Sequence, residues 1–143
     1  MWKISRGLLL IFLIVLSCID IRNRRIPVKI LIPGVLGGII YQAVWNREDW
    51  IMSVMGIGVG SVFLLISKVT CEGIGYGDSI VILILGIFLG GRELVEVLSF
   101  SFCILVVFAI AILCRKNMSR KYEVPFLPFL TGGYICYLIG NLH

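Results

Sequence analysis

Glu72-Gly73-Ile74-Gly75-Tyr76-Gly77-Asp78 places one carboxylate at the mouth of an apolar helix, behind a backbone that carries three glycines. Glycine takes positive φ without a steric penalty and lets a second backbone come close. The run therefore reads as a loop able to receive a peptide beside Asp78. A second carboxylate, Asp20, ends another apolar run. Two acids kept at similar depth in a hydrophobic chain are costly, and two carboxyl groups that share one proton can hydrolyse a peptide bond.

What surrounds this stretch is too apolar for a water-soluble domain. The chain has 143 residues, 59% of them hydrophobic, and a mean hydropathy of +1.06. Those values predict a single all-α, membrane-embedded domain over residues 1–143. The net charge of +5 lies in short clusters beside apolar runs, which excludes a nucleic-acid surface and points to anionic lipid headgroups. Five cysteines form no CxxC pair and the one histidine is terminal, so neither a zinc site nor a disulfide framework is expected. The chemistry suggested by two carboxylates needs no metal and no cofactor.

Six apolar runs predict six transmembrane helices, over about 4–19, 28–44, 51–69, 78–90, 94–114 and from Pro125 to about 140. Lys3 and Arg6 before a hydrophobic core resemble a signal peptide, but five further runs favour a span. Pro27 is placed to open the second helix. Gly34 with Gly38, Gly56 with Gly60, and Gly86 with Gly90 give small-xxx-small faces for close packing. Trp45 and Trp50 bracket an interfacial turn, Arg92 and Glu93 mark another, and Lys68 and Glu96 read as snorkelling groups. Counted with the basic residues just inside the adjoining run ends (Arg6, Lys29 and Lys68), the loops after the first, third and fifth runs hold four, one and four Lys or Arg, against two, one and one for the amino terminus and the other loops. This imbalance predicts both termini outside the cytoplasm and puts Asp20, Asp78 and Pro125 at the cytoplasmic face.

Each residue also has a plainer reading. Asp20 alone could be a helix-end carboxylate paired with Arg24 or Arg25, and Asp78 alone an N-cap. Cys71 lacks a base that would make it a nucleophile, and Glu72 could tune the local charge or simply be solvated. Arg22, Arg24, Arg25, Arg115, Lys116, Arg120 and Lys121 read as contacts to lipid phosphates. Helix ends separate the two aspartates: Asp78 opens a helix at its N–H end, whereas Asp20 closes one at its carbonyl end. This favours Asp78 as the ionised partner.

Taken together, Asp20 through Arg25-Ile26-Pro27, Gly75-Tyr76-Gly77-Asp78, Gly86 to Gly90, and Pro125-Phe126 with Pro128-Phe129 resemble the type IV prepilin peptidases. The resemblance implies a six-span aspartic protease that cuts the short basic leader from prepilins or pseudopilins at the cytoplasmic face. It puts the catalytic pair on Asp20 and Asp78, with Gly75, Tyr76, Gly77, Pro27, Pro125 and Phe126 shaping the site. Many relatives carry a lysine two residues after the GxGD aspartate, where this chain has Ile80. Larger members have an insertion with paired CxxC motifs and methylate the new amino terminus. Without that insertion, the chain resembles the peptidase-only form. Two other classes compete: a presenilin-like intramembrane protease, and a small transporter or ion-conducting component that uses paired acids.

Overall fold

A computed structural model describes residues 2–23, 26–45, 50–69, 76–115 and 124–142, and all secondary structure among them is helical. The helices are α1 (Trp2–Asn23), α2 (Val28–Trp45), α3 (Trp50–Val69), α4 (Tyr76–Leu89), α5 (Gly91–Cys114) and α6 (Leu127–Gly140). Three stretches are long and apolar enough to cross a membrane: Ile4–Asn23, Trp50–Val69 and Gly91–Cys114. The other apolar helices are shorter. At ~1.5 Å per residue the 14-residue α4 and α6 each cover roughly 21 Å, less than a hydrocarbon core of ~30 Å.

The solvent logic is that of lipid. Ile11, Ile40, Leu65, Val107 and Leu113 are all more than 60% exposed, while Ser17, Ser53, Ser67, Ser79, Ser101 and Thr131 are buried. Large apolar side chains cover the surface as well as fill the core, and hydroxyls are buried among them, a pattern that suits lipid better than water. Ser101 and Thr131 are satisfied within their own helices, Ser101 Oγ donating to the Val97 carbonyl at 2.7 Å and Thr131 Oγ1 to the Leu127 carbonyl at 2.9 Å.

The chain forms two compact units. The first contains α1, α6 and α5 from Glu96 onward. Leu9, Leu13, Leu16 and Asp20 follow one another at helical spacing along the buried stripe of α1. Leu127, Leu130, Thr131, Tyr134 and Tyr137 do the same on α6. The two helices run antiparallel. Thr131 Oγ1 lies 3.5 Å from the Leu13 carbonyl oxygen, and near the other end Tyr134 Oη donates to the Arg6 carbonyl at 3.2 Å. Arg6 Nη2 donates to Tyr137 Oη at 3.1 Å and its guanidinium lies 5.4 Å from that ring centre.

The second unit contains α2, α3, α4 and the first turn of α5. Its α3–α4 seam is backbone on backbone. A methyl group on Gly56 would meet the Gly86 carbonyl oxygen, one on Gly86 would meet that of Gly56, and one on Gly60 would lie 2.6 Å from Leu83 Cα. On the other side of α4, a methyl on Gly38 of α2 would lie 3.0 Å from Ile87 and 3.2 Å from Phe88, whose ring sits 5.4 Å from that of Tyr41.

Several expected boundaries move. Asp20 lies inside α1, which runs on to Asn23, so it does not mark a helix end. Arg92 and Glu93, read as a turn, belong to α5. The connection from α4 is Gly90 alone, at φ +80°, a conformation glycine adopts at little cost. Its N–H donates to the Gly86 carbonyl at 3.0 Å and its carbonyl accepts from Leu94 N–H at 3.1 Å, so both helices are closed with no loop between them. Lys68 and Glu96 are exposed. Arg24, Arg25, Cys71, Glu72, Gly73, Gly75, Lys116, Arg120 and Lys121 lie outside the described residues.

Candidate active site

Asp20 is only 6% exposed, because helical periodicity sets it in line with Leu13 and Leu16. Its carboxylate accepts a hydrogen bond from the backbone N–H of Leu127, the first residue of α6. That N–H has no acceptor within its own helix, so an acid at this point meets a donor that needs a partner. The other oxygen, Oδ2, is buried and has no hydrogen-bond partner among the described residues. A buried carboxylate oxygen left unsatisfied is costly, and such an atom is positioned to bond something that arrives.

The mouth of α6 is built by the residues that the sequence singled out. Phe126 has helical angles and its carbonyl accepts from Phe129 N–H at 3.0 Å and Leu130 N–H at 3.1 Å, which closes the first turn. Pro128 occupies that turn, where its missing N–H removes nothing. Pro125 and Phe126 are half-buried, and the Phe126 ring lies 5.9 Å from that of Phe102 on α5. Thr131 Oγ1 donates to the Leu127 carbonyl at 2.9 Å, fixing the turn whose N–H reaches Asp20.

Asp78 stands in the first turn of α4, half-buried, two residues after Tyr76, which is 52% exposed. It is therefore inside the helix and not its N-cap. Gly77 is also helical and abuts Ile26 in the segment leading into α2. Pro27 is exposed and its carbonyl accepts from Ile30 N–H at 3.0 Å, opening α2 as its ring predicts. Ser79, fully buried, donates from Oγ to the Phe63 carbonyl of α3 at 3.3 Å. Ile80 is half-buried.

Asp20 belongs to the first unit and Asp78 to the second. The structure joins Asp20 to the Pro125-Phe126 segment and joins Gly77 to the Ile26-Pro27 segment. It also removes the asymmetry drawn from helix ends. Both aspartates now face the N–H end of a helix, Asp78 its own α4 and Asp20 the packed α6. The sequence gives neither Leu127 nor Ile26 a role at the site, although Ile26 stands in the Arg25-Ile26-Pro27 segment. The one signal was an apolar residue set between Arg25 and Pro27. No group of three or more His, Cys, Asp or Glu side chains among the described residues could hold a metal ion.

The chain is similar to prepilin leader peptidase/N-methyltransferases. It is 28% identical to that of Aeromonas salmonicida (strain A449) over 98% of this chain and 51% of the relative. To that of Pseudomonas putida it is 32% identical over 90% of this chain and 47% of the relative. To that of Pseudomonas aeruginosa it is 28% identical over 98% and 51%. The chain thus spans about half the length of the curated relatives it matches. No solved structure matches it. Residues 7–112 match the sequence model of the Type IV leader peptidase family, a stretch that takes in both aspartates. The glycine-flanked acid, the buried acid and this match agree: the chain belongs to the type IV leader peptidase family.

Proposed function

We propose that the chain is a membrane aspartic endopeptidase that removes the short basic leader from type IV prepilin or pseudopilin-like precursors at the cytoplasmic face, with six helices crossing the membrane. Asp20 and Asp78 act as one proton-sharing pair. The ionised carboxyl takes a proton from water as its oxygen attacks the scissile carbonyl carbon, and the protonated carboxyl donates to the carbonyl oxygen. Collapse of the tetrahedral intermediate breaks the C–N bond. The leaving nitrogen takes a proton from the pair, giving a leader carboxylate and a new amine.

The observation that carries this reading is the buried Asp20 carboxylate, with one oxygen held by the Leu127 N–H and the other unsatisfied. The family match supports it by including both acids. The carboxyl pair supplies acid and base without a metal or cofactor. Tyr76, Gly77, Pro27, Pro125 and Phe126 shape the approach, together with Gly75, which lies outside the described residues. Exposed Arg22 and Arg115, in or just after the last turns of α1 and α5, suit anionic lipid. No methyl transfer is proposed for these 143 residues, which contain no CxxC pair.

The test is reconstitution of the purified chain into vesicles with a prepilin-like precursor. Cleavage after the basic leader is the expected result. Ion flux in the same vesicles without cleavage would replace this reading by the transporter one. Cleavage within a membrane-spanning segment would replace it by the presenilin-like one.

A further inference from the structure

We propose that Ile26 is a positioning residue for Asp78, an inference that rests on the peptidase reading above. Gly90 is the only glycine with positive φ among the described residues, so Gly77 is required by space and not by its dihedral angles. A methyl group at Gly77 would lie 3.0 Å from Ile26 Cβ, 3.1 Å from its Cδ1 and 3.4 Å from its Cγ1. The Cβ contact decides the matter, because no rotamer moves a Cβ away from its backbone. Ile26 is itself constrained: it precedes Pro27, which restricts it to extended conformations, and the Pro27 carbonyl is tied to Ile30 N–H.

Asp78 therefore sits between two anchors. On one side Gly77 is seated against Ile26. On the other, Ser79 is bonded to the Phe63 carbonyl of α3. The segment bearing Ile26 also leads back to Asp20, six residues earlier in the chain. Ile26 acts on the carboxyl through the Gly77 backbone, fixing where the first turn of α4 can lie. At 3.0 Å the backbone must give by a few tenths of an ångström, and since a displacement of about 1 Å at a reacting group can cost about a hundredfold in rate, the smaller shift is worth several-fold.

The test measures precursor cleavage by the full chain in vesicles for G77A, I26A, I26G and both double variants, with thermal unfolding of each in detergent. G77A is expected to lower kcat several-fold while leaving KM little changed. I26A and I26G alone are also expected to lower kcat, and the further loss caused by G77A is smaller in the I26A background, where alanine keeps the offending Cβ, and smallest in the I26G background. An equal loss from G77A in wild-type and I26G backgrounds overturns the proposal, as does a loss confined to KM. If the wild-type chain cleaves no precursor while G77A and I26G remain coupled in unfolding, the peptidase reading fails and the positioning role falls with it, but the contact stands. If cleavage occurs and no coupling is seen in either measurement, the peptidase reading stands and Ile26 has no such role.

Discussion

Gly56 of α3 and Gly86 of α4 meet backbone to backbone, each occupying the space into which the other's Cβ would project. No side chain at that point can rotate aside, so an added methyl must push the helices apart. G56A and G86A are expected to destabilise the protein by about 1–3 kcal/mol each, the usual range for overpacking. Gly58, two residues along α3, has open space where a methyl would project, with nothing within 4 Å, so G58A is the control. Alanine favours a helix interior over glycine by ~1 kcal/mol, so G58A is expected to be neutral or stabilising. Thermal unfolding in one detergent compares the three, and equal losses would refute the seam.

Replacing either aspartate by asparagine removes a proton that the proposed reaction must exchange. D20N and D78N are each expected to lower leader cleavage by at least about 10²-fold, with the protein still inserted in the membrane. The measurement is precursor cleavage normalised to membrane-extracted protein. Near-native cleavage by either variant ends the two-aspartate assignment.

Far along α1 from Asp20, the Arg6–Tyr137 hydrogen bond ties α1 to α6. R6A and Y137F are expected to be non-additive in unfolding free energy, with a coupling of about 0.5–1.5 kcal/mol. The ring remains in Y137F, so its stacking on Tyr134 and the contact to Arg6 are only partly lost. Strict additivity would show that this hydrogen bond adds nothing to packing that the helices achieve without it.

The charge distribution makes a prediction about orientation. In a cysteine-free background, a thiol introduced as Asn117→Cys is expected to resist an impermeant reagent in intact cells and to react after the membrane is opened. Labelling in intact cells would reverse the orientation and move both aspartates to the other face.

Much of this architecture is legible in sequence because local terms dominate it. Long apolar runs give the helices, and prolines at 27 and 128 mark where α2 and α6 begin. Glycines four apart announce close packing, and Gly56 and Gly86 both lie on such faces. Their mutual contact is not legible, since spacing within one helix says nothing about which helix answers it. The same holds at the site. Asp20 and Asp78 stand out as acids in apolar surroundings, but the Leu127 N–H that meets Asp20 comes from more than a hundred residues away. Reading Asp20 as a helix end fails because the polar residues after it, through Asn23, still suit a helix that emerges from an apolar environment. The turn placed at Arg92 and Glu93 fails for a related reason. Charge suggests a loop there, where one glycine at positive φ suffices.

The glycine seam also bears on how the protein behaves when lipid is stripped away. Contact between two bare backbones draws on dispersion and weak Cα–H···O bonds, and owes little to water being driven off apolar surface. Its strength is therefore indifferent to whether acyl chains or detergent tails surround the pair. The outward isoleucines and valines of every helix but α4 can exchange one amphiphile for another while α3 and α4 stay joined. Solubilisation is expected to leave the helix that bears Asp78 docked to its neighbour, so a detergent that abolishes activity acts elsewhere in the molecule.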